Sequence, residues 1–174
     1  EIAVKGTCGN NQSLHVTVNR SSKISPPPFM AGMAEVEIDK ETGSIEVVDY
    51  VAVVDCGTPV NPSLARVQTE GGLAQGIGMA LYEDIQYNEK GQMRNNSFMQ
   101  YKIPCRQDVK KIRVEFAPSY EKSHPFGAKS IGEIVINTPC PAIANAVYNA
   151  VGLRIKEMPI TPEKIAMGLL ENKI

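Results

Sequence analysis

Ile45-Glu46-Val47-Val48-Asp49-Tyr50-Val51-Ala52-Val53-Val54-Asp55, then Cys56-Gly57-Thr58-Pro59-Val60-Asn61-Pro62, then Ser63-Leu64-Ala65-Arg66-Val67-Gln68-Thr69-Glu70-Gly71-Gly72-Leu73-Ala74-Gln75-Gly76-Ile77-Gly78: the change of period across these three runs decides the fold. The first run is β-branched and nearly continuous, the pattern of a strand buried on both faces. The second carries glycine and two prolines and turns the chain. In the third, Leu64, Val67, Leu73, Ile77, Leu81 and Ile85 recur by threes, fours and sixes, which is helical spacing. It predicts one long helix, or two broken at Gly71-Gly72. Asn61 is placed to cap it, because a side-chain oxygen there accepts from the free amides of the first turn, and Pro62 suits the first helical position.

Working outward, Asp39-Lys40-Glu41-Thr42-Gly43 is a polar turn ending in a residue that tolerates positive φ. Before it, Met33 to Ile38 sets Ala34, Val36 and Ile38 against Glu35 and Glu37. The two runs therefore predict a hairpin. Ser13 to Asn19 alternates in the same way, Leu14, Val16 and Val18 against His15 and Thr17, and predicts a further strand; the prolines of Ser21 to Pro28 make a surface connection. Downstream, Asn88-Glu89-Lys90-Gly91 turns, Lys111 to Phe116 alternates as a short strand, and Pro141 to Val151 is an alanine-rich helix. Thr161-Pro162-Glu163 opens a last helix with a capping hydroxyl and an acid near the positive end of the dipole. The expected class is α+β in a single domain over 1–174: mainly strands over 1–60, then helices, a short strand and a glycine-rich loop over 61–174.

Composition narrows the function. The chain of 174 residues sets 18 Lys+Arg against 19 Asp+Glu, for a net charge of -1 and a pI of about 6.2. No basic field is available to hold nucleic acid or an anionic membrane surface. No apolar run reaches the roughly 18 residues of a membrane span. The start, Glu1-Ile2-Ala3-Val4-Lys5, is neither an initiator Met nor a signal peptide, so a fragment or processed subunit is expected. Cys8, Cys56, Cys105 and Cys140 lack the paired spacing of zinc or iron–sulfur sites and are read as reduced thiols in a cytoplasmic protein. Two histidines, His15 and His124, make no metal triad, and no Gly-x-Ser-x-Gly elbow is present.

Two segments are unusual for their glycines. Gly71, Gly72, Gly76 and Gly78 sit in a helical pattern, where each costs about 1 kcal/mol relative to alanine. A tightly packed helix crossing explains them most simply; the other reading is a flat ligand, or a break whose free amides face an anion. The second segment is His124-Pro125-Phe126-Gly127-Ala128-Lys129-Ser130-Ile131-Gly132-Glu133. Small residues around Lys129 and Ser130 let backbone amides point outward, an anion-binding arrangement. Glu133 lies between a glycine turn and the apolar Ile134-Val135-Ile136. If buried there, its charged form is disfavoured and it becomes a usable general base. Taken alone, these ten residues favour a surface acid or a cap.

Together the segments resemble one family. Ala34-Glu35-Val36-Glu37-Ile38-Asp39 with Glu41-Thr42-Gly43, Asp55-Cys56-Gly57 with Asn61-Pro62, Gln68-Thr69-Glu70-Gly71-Gly72 with Gln75-Gly76-Ile77-Gly78, Tyr101-Lys102-Ile103-Pro104, Gly127 to Glu133, Ala144-Asn145-Ala146 and Pro159-Ile160-Thr161-Pro162 fall in order. Residues 34–174 resemble the C-terminal part of the molybdenum-binding subunit of the xanthine dehydrogenase and aldehyde oxidase family of molybdenum hydroxylases; residues 1–33 match less distinctly.

That resemblance implies that Glu133 is the general base when a water-derived oxygen attacks a carbon of a purine, another N-heterocycle or an aldehyde. It implies that Gln68 hydrogen-bonds near the metal end of a molybdopterin-type cofactor. It also implies that the Thr58 to Asn61 turn and the Lys129-Ser130-Ile131-Gly132 backbone hold the pterin and, in bacterial members, its cytosine dinucleotide. No residue of this chain is expected to ligate the metal. The expected partners are the remaining part of the molybdenum subunit, iron–sulfur and FAD subunits or domains, and a small-molecule substrate. The chain alone is expected to be inactive and to self-associate through an exposed apolar face. The competing expectation is a non-catalytic binding or assembly domain of the same fold. The two differ observably: the catalytic reading needs Glu133, Gln68 and the 127–132 backbone to converge on one open concavity.

Overall fold

A computed structural model describes residues 15–19 and 21–171. Strand β1 (Phe29–Ile38) and strand β2 (Ile45–Asp55) form the expected antiparallel hairpin. Its turn is closed by the Asp39 amide donating to the Ser44 carbonyl at 2.9 Å and by the Asp39 carboxylate, which accepts from the Glu41 amide and the Thr42 hydroxyl. Helix α1 (Pro62–Leu81) then crosses to strand β3 (Lys111–Phe116), which pairs parallel to β2 and completes a three-stranded sheet in the order β1-β2-β3. Helices α2 (Pro139–Val151) and α3 (Pro162–Glu171) follow. Helix α2 begins two residues earlier than the alanine run suggests, with Pro139 in its first turn. The α+β class holds.

Helices α1 and α2 pack on one face of the sheet and against each other. Tyr50, Leu73, Ile77, Val114, Ile143 and Ile165 are fully buried there. Helix α1 runs without a break, so the expectation of two helices is set aside. Most of its glycines are packing devices: a Cβ at Gly72 would collide with Val135, and one at Gly76 with Pro139.

Two strand expectations are corrected. Residues 15–19 form no strand, and Val16 and Val18 are exposed; residues 13 and 14 lie outside the described part. Alternation alone, without a partner strand, does not hold a ladder. Strand β2 is buried on one face rather than two. Glu35 pairs with Asp49 but Val36 with Val47, so Val48 is an extra residue. This bulge shifts the phase. Ile45 and Val47 before it, and Tyr50, Ala52 and Val54 after it, all point to the core, while Val53 is 41% exposed on the other face. The near-continuous apolar run reflects the phase shift. On that open face Asp49 pairs with Arg113, at 2.6 Å, and with Lys111, and Phe29 and Met33 are exposed.

Candidate active site

Three segments meet where β2 ends. Asn61 caps α1 as expected, its side-chain oxygen accepting from the Leu64 amide at 3.0 Å and its carbonyl from Ala65. The turn before it is stitched to the glycine-rich loop: the Thr58 amide donates to the Gly127 carbonyl at 2.9 Å, and the Lys129 amide to the Cys56 carbonyl at 2.7 Å. Gly57, at φ +67, faces Ala128 across this bridge. Two turns into α1, Gln68 donates from Nε2 to the Gly132 carbonyl at 2.8 Å.

The expected residues converge on two adjoining clefts. A cleft of about 450 Å³ is bounded by Thr58, Asn61, Gln68, Lys129, Ile131 and Gly132. A second, of about 330 Å³, is bounded by Gln68, Gly71, Gly132 and Glu133. Gln68 and Gly132 belong to both, so their hydrogen bond forms the partition between them. Both volumes lie in the range of small-molecule sites. The amides of Ser130, Ile131, Gly132 and Glu133 donate to no described residue, which leaves four consecutive donors for an anionic group.

One placement differs from the sequence reading, that of Ser130; Glu133 takes the surface position left open for it, and the Lys129 ammonium, to which no role is given, lies inside the protein. Ser130 is exposed and lines neither cleft. Glu133 is exposed, caps nothing and makes no hydrogen bond through its side chain among the described residues, so the burial that would make it a stronger base is not supplied by this chain. The Lys129 ammonium does not open on the cleft as a charge; its side chain is only 8% exposed and donates to Asp55 Oδ2 at 2.5 Å. Among the described residues, no group of three His, Cys, Asp or Glu side chains could hold a metal ion.

Sequence reasoning quoted Asp55 but assigned it no role, and overlooked Ser119 and Phe29. Asp55 accepts from Lys129, from the Ser119 hydroxyl and from the Gly57 amide, and the Phe29 ring lies 5.2 Å from the Lys129 ammonium. No motif links positions that far apart. The Lys129 hydrogen bond, then those of Ser119 and Gly57, lower the Asp55 carboxyl from 3.8 to about 2. A depressed carboxylate stabilises the fold above its unfolded value, and the contribution is lost as pH falls through the folded value. About 2 kcal/mol of stability is therefore expected to disappear between about pH 4 and pH 2. Urea titrations at pH 5 and pH 2.5 check this: Asp55→Asn flattens the loss relative to wild type, and an unchanged slope contradicts it.

A family model described as the molybdopterin cofactor-binding domain matches residues 7–110, and so includes residues before position 34, where the resemblance is less distinct. The chain is 39% identical to the probable hypoxanthine oxidase XdhD of Escherichia coli strain K12 over 97% of its length, but spans 18% of that protein. It is similar to the crystal structure of quinoline 2-oxidoreductase from Pseudomonas putida 86, with a TM-score of 0.74 and 37% identity over 78% of this chain and 18% of that one. The aldehyde oxidoreductase from Desulfovibrio gigas gives a TM-score of 0.76 and 32% identity over 82% of this chain and 15% of the other. The chain thus corresponds to about a fifth or less of each relative.

Proposed function

The chain belongs to the molybdopterin cofactor-binding domain family, and on that premise we propose that it forms the Glu133 side of the active site of a molybdenum hydroxylase that oxidises a purine, another N-heterocycle or an aldehyde. The carrying observation is convergence: Gln68, Ile131, Gly132 and Glu133 border adjoining open clefts instead of being dispersed or filled by side chains. The competing reading, an assembly domain, requires no such convergence.

The residues fit the cofactor. Four unengaged amides beside the capped start of α1 suit the pterin and any appended dinucleotide, since oriented N–H groups favour oxygen-rich anionic groups. When bound, the cofactor supplies oxidation of a substrate carbon with water-derived oxygen and uptake of two electrons. The part of this chain is positional and protonic. Thr58, Asn61 and Ile131 shape the larger cleft. Gln68 fixes the Gly132 carbonyl and thereby the peptide that carries Glu133. Glu133 accepts the proton released as the oxygen attacks, in water-poor surroundings provided by segments that cover the cleft in the complete subunit. Exposed Val60 in the turn before α1, Leu64 and Val67 on α1, and Phe98 and Met99 beyond it, support coverage by the rest of the molybdenum subunit or by a second copy. Iron–sulfur and FAD modules on partners would take the electrons onward. No helix among the described residues is long and apolar enough to cross a membrane; a cytoplasmic location accords with Cys56, Cys105 and Cys140 being free.

The test is metal and pterin content. The complete subunit purified with its partners is expected to carry molybdenum and pterin in stoichiometric amount, while the 174-residue chain alone, given cofactor, oxidises neither heterocycles nor aldehydes. Absence of both groups from every complex containing the chain would leave the assembly domain.

A further inference from the structure

Resting on that function, we propose that Asp55 and the side chain of Lys129 are a positioning pair that holds the 130–133 amides in their cofactor-receiving shape, so that Lys129 serves the site through its backbone and its charge is spent inside the protein. A lysine in an anion-binding loop would ordinarily be assigned to the anion. Here the geometry points elsewhere.

The ammonium is nearly fully enclosed, its hydrogen bond goes to Asp55 Oδ2, and the Phe29 ring closes another side. The Ser119 hydroxyl and the Gly57 amide donate to the other Asp55 oxygen, so both oxygens are engaged and the carboxylate is held from three elements. Lys129 carries the last engaged amide before the 130–133 run: it bonds to Cys56, and no amide donates to a described residue again until Ile136 bonds to Glu133. At the far end, Gln68 holds the Gly132 carbonyl. The segment 130–133 is thus clamped at two points, and the free amides lie between and just beyond them. A hydrogen-bonded, partly buried ion pair fixes direction as well as distance, which suits a clamp better than a flexible surface lysine would.

The experiment uses the complete, cofactor-loaded enzyme with the double variant Asp55→Asn/Lys129→Met. Removing both charges leaves no orphan charge, and replacements of whole ion pairs are often neutral for stability. The expected result is a Tm within a few degrees of wild type, pterin dissociating about tenfold faster or more, and faster hydrogen exchange at the 130–133 amides; partners that orient ligand-holding groups act on this scale. Wild-type pterin retention and exchange in the double variant would overturn the proposal. If the double variant does not fold, Lys129→Arg keeps the charge but not the fit; faster pterin loss supports the clamp, and wild-type retention overturns it. Wild-type enzyme without any pterin would instead refute the proposed function, and amide exchange in the two proteins would still decide whether the pair orders the loop.

Discussion

Glu133→Gln in the complete, cofactor-loaded enzyme is expected to lower kcat/KM by about two orders of magnitude or more, with molybdenum and pterin content unchanged, because a positioned general base contributes that much. The structure makes the test clean. Glu133 is exposed, caps nothing and makes no side-chain hydrogen bond among the described residues, so an amide of the same shape has no local contact to break. Loss of activity with retained cofactor can then be assigned to the missing proton acceptor. Steady-state kinetics with metal and pterin analysis of both proteins decide it. A variant retaining wild-type kcat/KM would return Glu133 to the plain status of a surface acid.

Gly57→Ala is expected to damage the fold and the site together. Gly57 has φ +67, a backbone region costing a side-chain-bearing residue about 1–2 kcal/mol. An added Cβ would also run into the Gly127 carbonyl oxygen. That oxygen cannot yield easily, since it accepts from both the Thr58 and Glu121 amides. A destabilisation of about 3 kcal/mol or more is expected, read as a lower urea midpoint at unchanged m-value, with reduced pterin content. A midpoint equal to that of wild type would mean that the turn and the loop are not held in this bridge.

The fold was legible wherever its signals were local. The hairpin turn, the Asn61-Pro62 helix start, the strand at 111–116 and the Thr161-Pro162 helix start each rest on residues a few positions apart. The phase of β2 was not legible: a bulge is set by the partner strand, and Val48 looks in sequence like any other strand valine. For the site, the segments that the resemblance named meet in space, and all but Ser130 of the named residues border the clefts. What each side chain does there was harder to read. Lys129 is read for its backbone alone, and the partner of its charge, Asp55, stands 74 positions away in the chain where no local pattern points to it. Glu133 followed by Ile134-Val135-Ile136 leaves burial and a surface position both open, and of these four only Val135 is buried. Neither side-chain partnering nor burial follows a fixed sequence period when the contacts come from distant segments.

The clamp on the 130–133 segment also has a kinetic meaning. The hairpin closes over the few residues between Asp39 and Ser44, whereas Gln68 must find Gly132 across 64 positions and Lys129 must find Asp55 across 74. Loop-closure entropy and the slowness of non-local pairing place such contacts late in folding. The parallel pairing of Asp49 with Lys111 closes a loop of similar length, so the third strand and the cradle carry the same long-range cost while the hairpin does not.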